Sequence, residues 1–343
     1  MRLLGASVVL FTACLPVEPG YLITAPSFRG VRLEVVEPGG YASLLNAPPG
    51  RPRATFLPLD TIELTAHFAA PSGVAIQPPI WLYCGVECSV AGPLVELVGD
   101  VAACPTPLPL NLIDPCRLDE AMQIRVSIAG AFTFARAELR LLLVASRDPD
   151  LTPATCLERL TRRPHTDLEP CIVAHWGLRP GPRWALLPFA PDTAAIPREI
   201  LEQEVDTNPD IVGFRVTRQR GADRREQLVD PGARIGVRRG ERITVEPLFT
   251  AESAQQYWLT YNDEEGKPYS GELRDYQEEL TIRPWFDAPV LGLDWETYDD
   301  WREPPLTWIV PDNVEPTRLF LDVMDDRAGR ASAELLFVAD DAP

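Results

Sequence analysis

Short runs in which apolar and polar residues alternate, cut apart by proline and glycine, constrain this chain more than any other feature. Thr61 to Phe68 is the clearest run. Ile62, Leu64, Ala66 and Phe68 fall on one side and Thr61, Glu63, Thr65 and His67 on the other, the period-two pattern of a half-buried strand. Val31, Leu33 and Val35 alternate with Arg32 and Glu34, and the pattern returns at Ile124, Val126 and Ile128 and again at Leu319, Leu321 and Val323. Ala137 to Ala145 is nearly all apolar and reads as a central strand covered on both faces. Prolines number 36 in 343 residues. That is about twice the usual share, and so many fixed bends favour short strands over helix bundles. The class expected is all-β.

Hydrophobic residues at 45% suffice for two sizeable cores in a chain of this length. The halves read as a repeat. Ile62 and Phe68 stand 181 positions before Ile243 and Phe249, and Leu33 stands 181 before Phe214. Trp81-Leu82 stands 177 before Trp258-Leu259, and Ala137-Glu138-Leu139 stands 196 before Ala333-Glu334-Leu335. This predicts two copies of one β-sandwich, each with a Trp-bearing strand whose indole lies between the sheets, as in immunoglobulin-like domains. The stretch from Leu319 to Arg330, two alternating strands about an Asp and Gly turn, resembles the closing strands of bacterial immunoglobulin-like and PKD-like domains. That resemblance implies fold and not activity. Thr152-Pro153 is a helix cap followed by a first-turn proline, and Ile196-Pro197 opens a second helical stretch to Glu204. The expected organisation is a tether over 15–28, a first immunoglobulin-like β-sandwich over 29–145, a small helical, disulfide-stapled connecting module over 146–204 and a second sandwich over 205–343.

A net charge of −18 repels phosphate backbones, which argues against nucleic acid as a partner and against a polybasic membrane patch. Beyond residue 14 the cysteines are Cys84, Cys88, Cys104, Cys116, Cys156 and Cys171. An even count fits three disulfides made in an oxidising, exported compartment. Of the many pairings six cysteines allow, local pairing in chain order is expected: Cys84–Cys88, Cys104–Cys116 and Cys156–Cys171. The last would add about 3 kcal/mol through loop entropy. Zinc is the competing use, but the spacings hold no C-x-x-C pair and exported thiolates oxidise.

Residues 1–14 begin with Met1-Arg2, continue through an apolar stretch from Leu3 to Phe11 that is far below the ~20 residues of a spanning helix, and end Phe11-Thr12-Ala13-Cys14. This resembles a bacterial lipobox, with Phe11 where Leu is usual. The resemblance implies removal of residues 1–13 and lipidation of Cys14, each buried CH₂ of the acyl chains adding roughly 0.8 kcal/mol to the anchorage. An ordinary secretory signal with an incidental cysteine is the alternative. Leu15, non-acidic, implies by the same resemblance the outer membrane, with the protein periplasmic or surface-facing and the lipid bilayer as the partner of its acyl anchor.

No chemistry-bearing motif stands out. His67, His165 and His175 lack metal-ligand spacing, and neither a G-x-S-x-G elbow nor a Gly-rich phosphate loop occurs. No catalytic residue and no cofactor are therefore expected. Two acidic clusters, Asp294, Glu296, Asp299 and Asp300, then Asp322, Asp325 and Asp326, could hold a structural Ca²⁺ or simply be a solvated surface. Trp285, Phe286, Trp295, Tyr298, Trp301 and Trp308 fall within 24 residues. Exposed, Trp285, Trp295, Tyr298, Trp301 and Trp308 would stack on sugar rings while carboxylates accept sugar hydroxyls. Buried, they would fill the second core, the commoner use of rings in Pro-rich loops. The function expected is that of a non-catalytic binding or adhesion module for a glycan or an envelope protein, its second sandwich held away from the membrane. A structural subunit of an envelope complex and a carboxylate-dependent hydrolase are the alternatives.

Overall fold

Alternation of side chains becomes strand pairing throughout the computed structural model, which describes residues 20–84, 101–130, 138–162, 167–186, 196–261, 269–294 and 306–340. Cys14, Cys88, His165, Trp295, Tyr298 and Trp301 lie outside the described residues. The protein is all-β, and among the described residues no helix is long and apolar enough to cross a membrane.

In the first half, β1 (Ser27–Glu37), β2 (Thr61–Ala69), β3 (Ile80–Tyr83), β4 (Cys116–Glu120), β5 (Gln123–Ser127) and β6 (Leu139–Ser146) are followed by α1 (Pro153–Thr161) and β7 (Cys171–Leu178). They build two antiparallel sheets, ordered β1-β2-β5 and β4-β3-β6-β7. Val35 faces Ile62 and Leu33 faces Leu64 across the β1–β2 ladder. Their side chains meet Trp81, Leu141 and Leu143 of the other sheet in one core. Each such side chain, once fully buried, stabilises by about 1.5–3 kcal/mol. Trp81 has no exposed surface, and its indole donates to the carbonyl of Ala121 at 2.7 Å.

Thr152 caps α1 as expected, accepting from the Thr155 N–H with Pro153 in the first turn. The helix lays Cys156 and Leu160 over Ile80, Leu82, Leu142 and Val144, on the outer face of the four-stranded sheet. The Cys156–Cys171 disulfide ties it to the start of β7, and Cys104–Cys116 ties the 101–115 segment to β4. Cys84 is disulfide-bonded as well, and its expected partner lies outside the described residues. Residues 171–178 are thus a strand of the first sandwich, paired along its length with β6, and not part of a separate module. That run, Ile172 to Leu178, carries too little alternation to be read as a strand from sequence.

After α2 (Arg198–Glu202), the second half holds β8 (Ile211–Arg220), β9 (Asp223–Val229), β10 (Arg234–Val237), β11 (Arg242–Phe249), β12 (Gln256–Tyr261), β13 (Glu272–Gln277), β14 (Thr281–Phe286), β15 (Leu291–Asp294), β16 (Leu306–Ile309), β17 (Thr317–Met324) and β18 (Arg330–Ala339). A five-stranded sheet, β15-β16-β11-β8-β9, packs on a four-stranded one, β10-β18-β17-β14, about Phe214, Ile243, Leu319 and Phe337. The 181-position offset relates β1 to β8 and β2 to β11, an antiparallel pair in each sandwich, although β9 and β10 intervene in the second and the register differs by two residues. It fails afterwards, where the separate two-stranded hairpin β12–β13 follows β11. Trp258 lies on that hairpin, outside the sandwich, and the indole inside the second core is Trp308 of β16. Ala333-Glu334-Leu335 likewise falls in the last strand of its sandwich, whereas Leu139 opens the penultimate one.

The expected tether is not free over its described part. Leu22 bridges Phe286 in parallel, Ile23 donates to Phe286 at 2.7 Å, and Tyr21 meets the Phe286 ring edge-on. The chain therefore covers the open edge of β14, where Pro284 already weakens pairing, before it enters β1.

Candidate functional site

Where the two sandwiches meet, the backbone of one half is shaped to receive a side chain of the other. A bulge interrupts β1 between Phe28 and Gly30, and Gly30 takes φ +155°. A Cβ there would fall 1.1 Å from Nη1 of Arg330, the first residue of β18. The Arg330 guanidinium fills that space, donating to the Arg29 carbonyl at 2.6 Å and to Asp322 Oδ2 at 3.1 Å and lying over the Trp176 ring at 4.7 Å. Arg29 in turn lies 3.5 Å above Trp285. Burial pushes the Arg29 guanidinium down to about 10, partly offset by Asp322. His67 Nδ1 meets Ser332 Oγ at 2.5 Å, and its Nε2 is covered without a partner. Burial, with Arg330 and Arg32 nearby, pushes that imidazole down to about 4, so it is neutral at physiological pH.

A cleft of about 680 Å³ opens beside this junction. One wall is the first sandwich, through Thr55, Glu138 and Leu178; the floor is the connecting chain, through Trp184, Gln203 and Asp206; the other wall is the β12–β13 hairpin, through Tyr257, Trp258 and Tyr269. The hairpin is held in place by packing: Trp258, Tyr269 and Leu273 lean on Trp184 and Ile200 in a small core of their own. Gln203 Oε1 accepts from the Trp258 N–H at 2.6 Å. Trp184 and Tyr257 are 6% exposed, so Trp258 and Tyr269 are the rings with surface left to offer the concavity, beside amide, hydroxyl and carboxylate groups, a make-up suited to a polar, ring-containing ligand.

Behind the floor lie three carboxylates. Asp206 follows α2, Glu278 ends the hairpin, and Asp325 opens the turn from β17 to β18. Asp325 Oδ1 accepts the N–H groups of Arg327, Ala328 and Gly329 at 2.7–2.9 Å. Gly329 is required there, since a Cβ would come within 2.0 Å of Asp325 Oδ2. Glu278 accepts from Gln255 N at 2.8 Å and pairs with Arg327 at 3.0 Å. Burial raises the pKa of all three. Asp206 rises well above its ordinary value, reinforced by Asp325 and Glu278, and Glu278 is pushed up to about 7.

The residues singled out in sequence are scattered by the fold. Trp308 is 2% exposed and packs edge-on against Phe286 and Phe337, so it serves the core and not a ligand. Trp285 is covered by Arg29 in the junction. Asp322 pairs with Arg330, and Asp326 accepts from Tyr257 at 2.6 Å, so the cluster Asp322, Asp325 and Asp326 does not converge on one ion. Only Asp325 joins Asp206 and Glu278. Those two, with Trp184, Tyr257 and Trp258, were not singled out as site residues. The available signal was the polar run Asp206-Thr207-Asn208, which reads as loop yet is buried throughout. No protein-family model, curated protein or solved structure matches the chain.

Proposed function

We propose that this protein is an exported, lipid-anchored envelope protein that binds a polyhydroxylated ligand, an oligosaccharide in chemical class, in the cleft between its two sandwiches. The observation that carries the reading is the convergence of Trp184, Tyr257, Trp258 and Tyr269 with Thr55, Glu138 and Gln203 around one cavity. Indole and phenol faces stack on sugar rings, and the polar groups exchange hydrogen bonds with hydroxyls. Disulfides at Cys104–Cys116 and Cys156–Cys171 support an oxidising compartment. Binding is favoured over hydrolysis because both oxygens of Asp206, the one strongly perturbed carboxylate lining the cleft, are covered and do not face a substrate.

The test is a glycan array followed by calorimetry on oxidised, full-length protein. Wild type should show a saturable ligand, and Trp258→Ala should weaken it at least tenfold while the protein stays folded at the temperature of the assay, its melting point lowered by the lost packing on Trp184. Trp285→Ala should leave affinity intact. The reading fails if no glycan binds, or if Trp285→Ala abolishes binding where Trp258→Ala does not. Intact mass of protein from its native envelope checks the anchor, which predicts loss of residues 1–13 and acyl mass on Cys14.

A further inference from the structure

Asp206, Glu278 and Asp325 come from three separated segments, yet one carboxylate oxygen of each lies within 4.8 Å of the others, and no other such group of His, Cys, Asp or Glu occurs among the described residues. Asp206 is 2% exposed, and neither of its oxygens has a hydrogen-bond partner. Asp325 Oδ2 is also covered and unpartnered. A carboxylate shut off from water and from donors is costly unless a positive charge lies beside it or it takes up a proton. Among the described residues the only cation paired with the group is Arg327, which is committed to Glu278 at 3.0 Å and also donates to the Glu204 carbonyl. With all three ionised, the carboxylates exceed the one guanidinium by two negative charges, the charge one divalent cation would neutralise; without an ion, protonation takes that place.

We infer that Asp206, Glu278 and Asp325 bind a hard divalent cation of the Ca²⁺ class, which ties the connecting chain to two loops of the second sandwich. The donors are all oxygen, which suits Ca²⁺ or Mg²⁺ and not zinc or copper. Ligands drawn from three segments fit the adaptable coordination of Ca²⁺ better than the strict octahedron of Mg²⁺. Asp206 and Arg327 also line the cleft, so the ion site lies next to the cleft floor although the Asp206 oxygens themselves are covered. Because Ala54 donates to the Asp206 carbonyl at 2.9 Å, the ion also fixes the first sandwich relative to the second. This role stands whatever ligand the cleft takes.

Calcium titration of chelator-stripped, oxidised, full-length protein tests it, by calorimetry and by thermal unfolding. One Ca²⁺ per chain should bind saturably, raising the melting temperature by about 5 °C at a hundredfold excess over Kd. Asp206→Asn should lose at least tenfold in affinity, while its ion-free form melts no lower than ion-free wild type, since a like charge has been removed from the group. Should that variant fail to fold, Glu278→Gln gives the same reading of affinity. Asp312→Asn, at a carboxylate 86% exposed and paired with Arg239, should bind as wild type does. Absence of saturable binding at millimolar Ca²⁺, or wild-type affinity in both Asp206→Asn and Glu278→Gln, overturns the inference.

Discussion

In the first sandwich, the outer face of the four-stranded sheet is roofed by α1 and cross-linked to it through Cys156–Cys171. The second sandwich contains no cysteine, for none follows Cys171 in the chain. It is completed at the end facing its neighbour by buried charges instead: Arg330 with Asp322, and Asp206, Glu278 and Asp325 with Arg327. Two sandwiches that share one antiparallel strand pair thus reach a closed structure by different means. A covalent staple acts mainly by limiting the unfolded chain and is indifferent to ions and protons. Buried charge acts in the folded state and is only as favourable as its partners, so it responds to whatever occupies the junction. The first sandwich is accordingly expected to answer to redox state and the second to solution composition.

The largest test of that contrast is the pair Trp81→Ala and Trp308→Ala, one indole from each core. Each should cost about 3–5 kcal/mol in denaturant melts, and each should lower only the transition of its own sandwich. A single transition that shifts equally for both would show that the halves unfold as one. Next, replacing Cys156 and Cys171 together by alanine should destabilise the first sandwich by about 3 kcal/mol and leave the second where it was. A smaller effect is expected at the junction. Gly30→Ala drives a methyl into Arg330 Nη1, and the guanidinium must leave its place between Asp322 and Trp176. The cost should be about 1–3 kcal/mol for the unsatisfied Asp322, read as a faster proteolytic separation of otherwise folded halves.

The smallest effect is a pH dependence. His67 has a folded pKa of about 4, below its ordinary 6.5, because it is buried and faces Arg330 and Arg32, with Arg29, Asp322 and Ser332 closing the same pocket. The unfolded chain then binds the proton more tightly. The contribution is therefore fully present above pH 6.5 and is lost as pH falls towards 4, by about 1–2 kcal/mol after allowing for partial solvent access. Subtracting the His67→Gln stability curve from that of wild type should isolate this limb. A difference curve flat between pH 4 and 6.5 removes His67 as a proton-sensitive element of the junction.

Strands were legible in the sequence wherever one face met a core and the other met water, as at Thr61–Ala69 and Thr317–Met324, because burial there imposes a period of two. The α1 cap was legible because Thr152 and Pro153 act on their own neighbours. The 146–204 segment was misread where β7 gains its partner from β6, a pairing that no local pattern announces. The junction was nearly invisible. Asp206, Glu278 and Asp325 lie far apart along the chain, and a polar run such as Asp206-Thr207-Asn208 looks solvated until a second domain covers it. Trp258 and Trp308 exchanged roles for a related reason. Composition marks a tryptophan as an anchor, but only the inserted hairpin decides which one is inside.

The strand-like docking of Leu22 and Ile23 along β14 sets a leash length. Seven peptide steps separate Cys14 from Tyr21, and they span at most about 25 Å when fully drawn out. With the lipid on Cys14 as proposed, the β14 flank of the second sandwich rides within that distance of the bilayer. The molecule then lies against its membrane, with limited freedom to swivel, and does not stand on a long flexible stalk. On that proposal, the ligands open to the cleft are those present near the membrane surface.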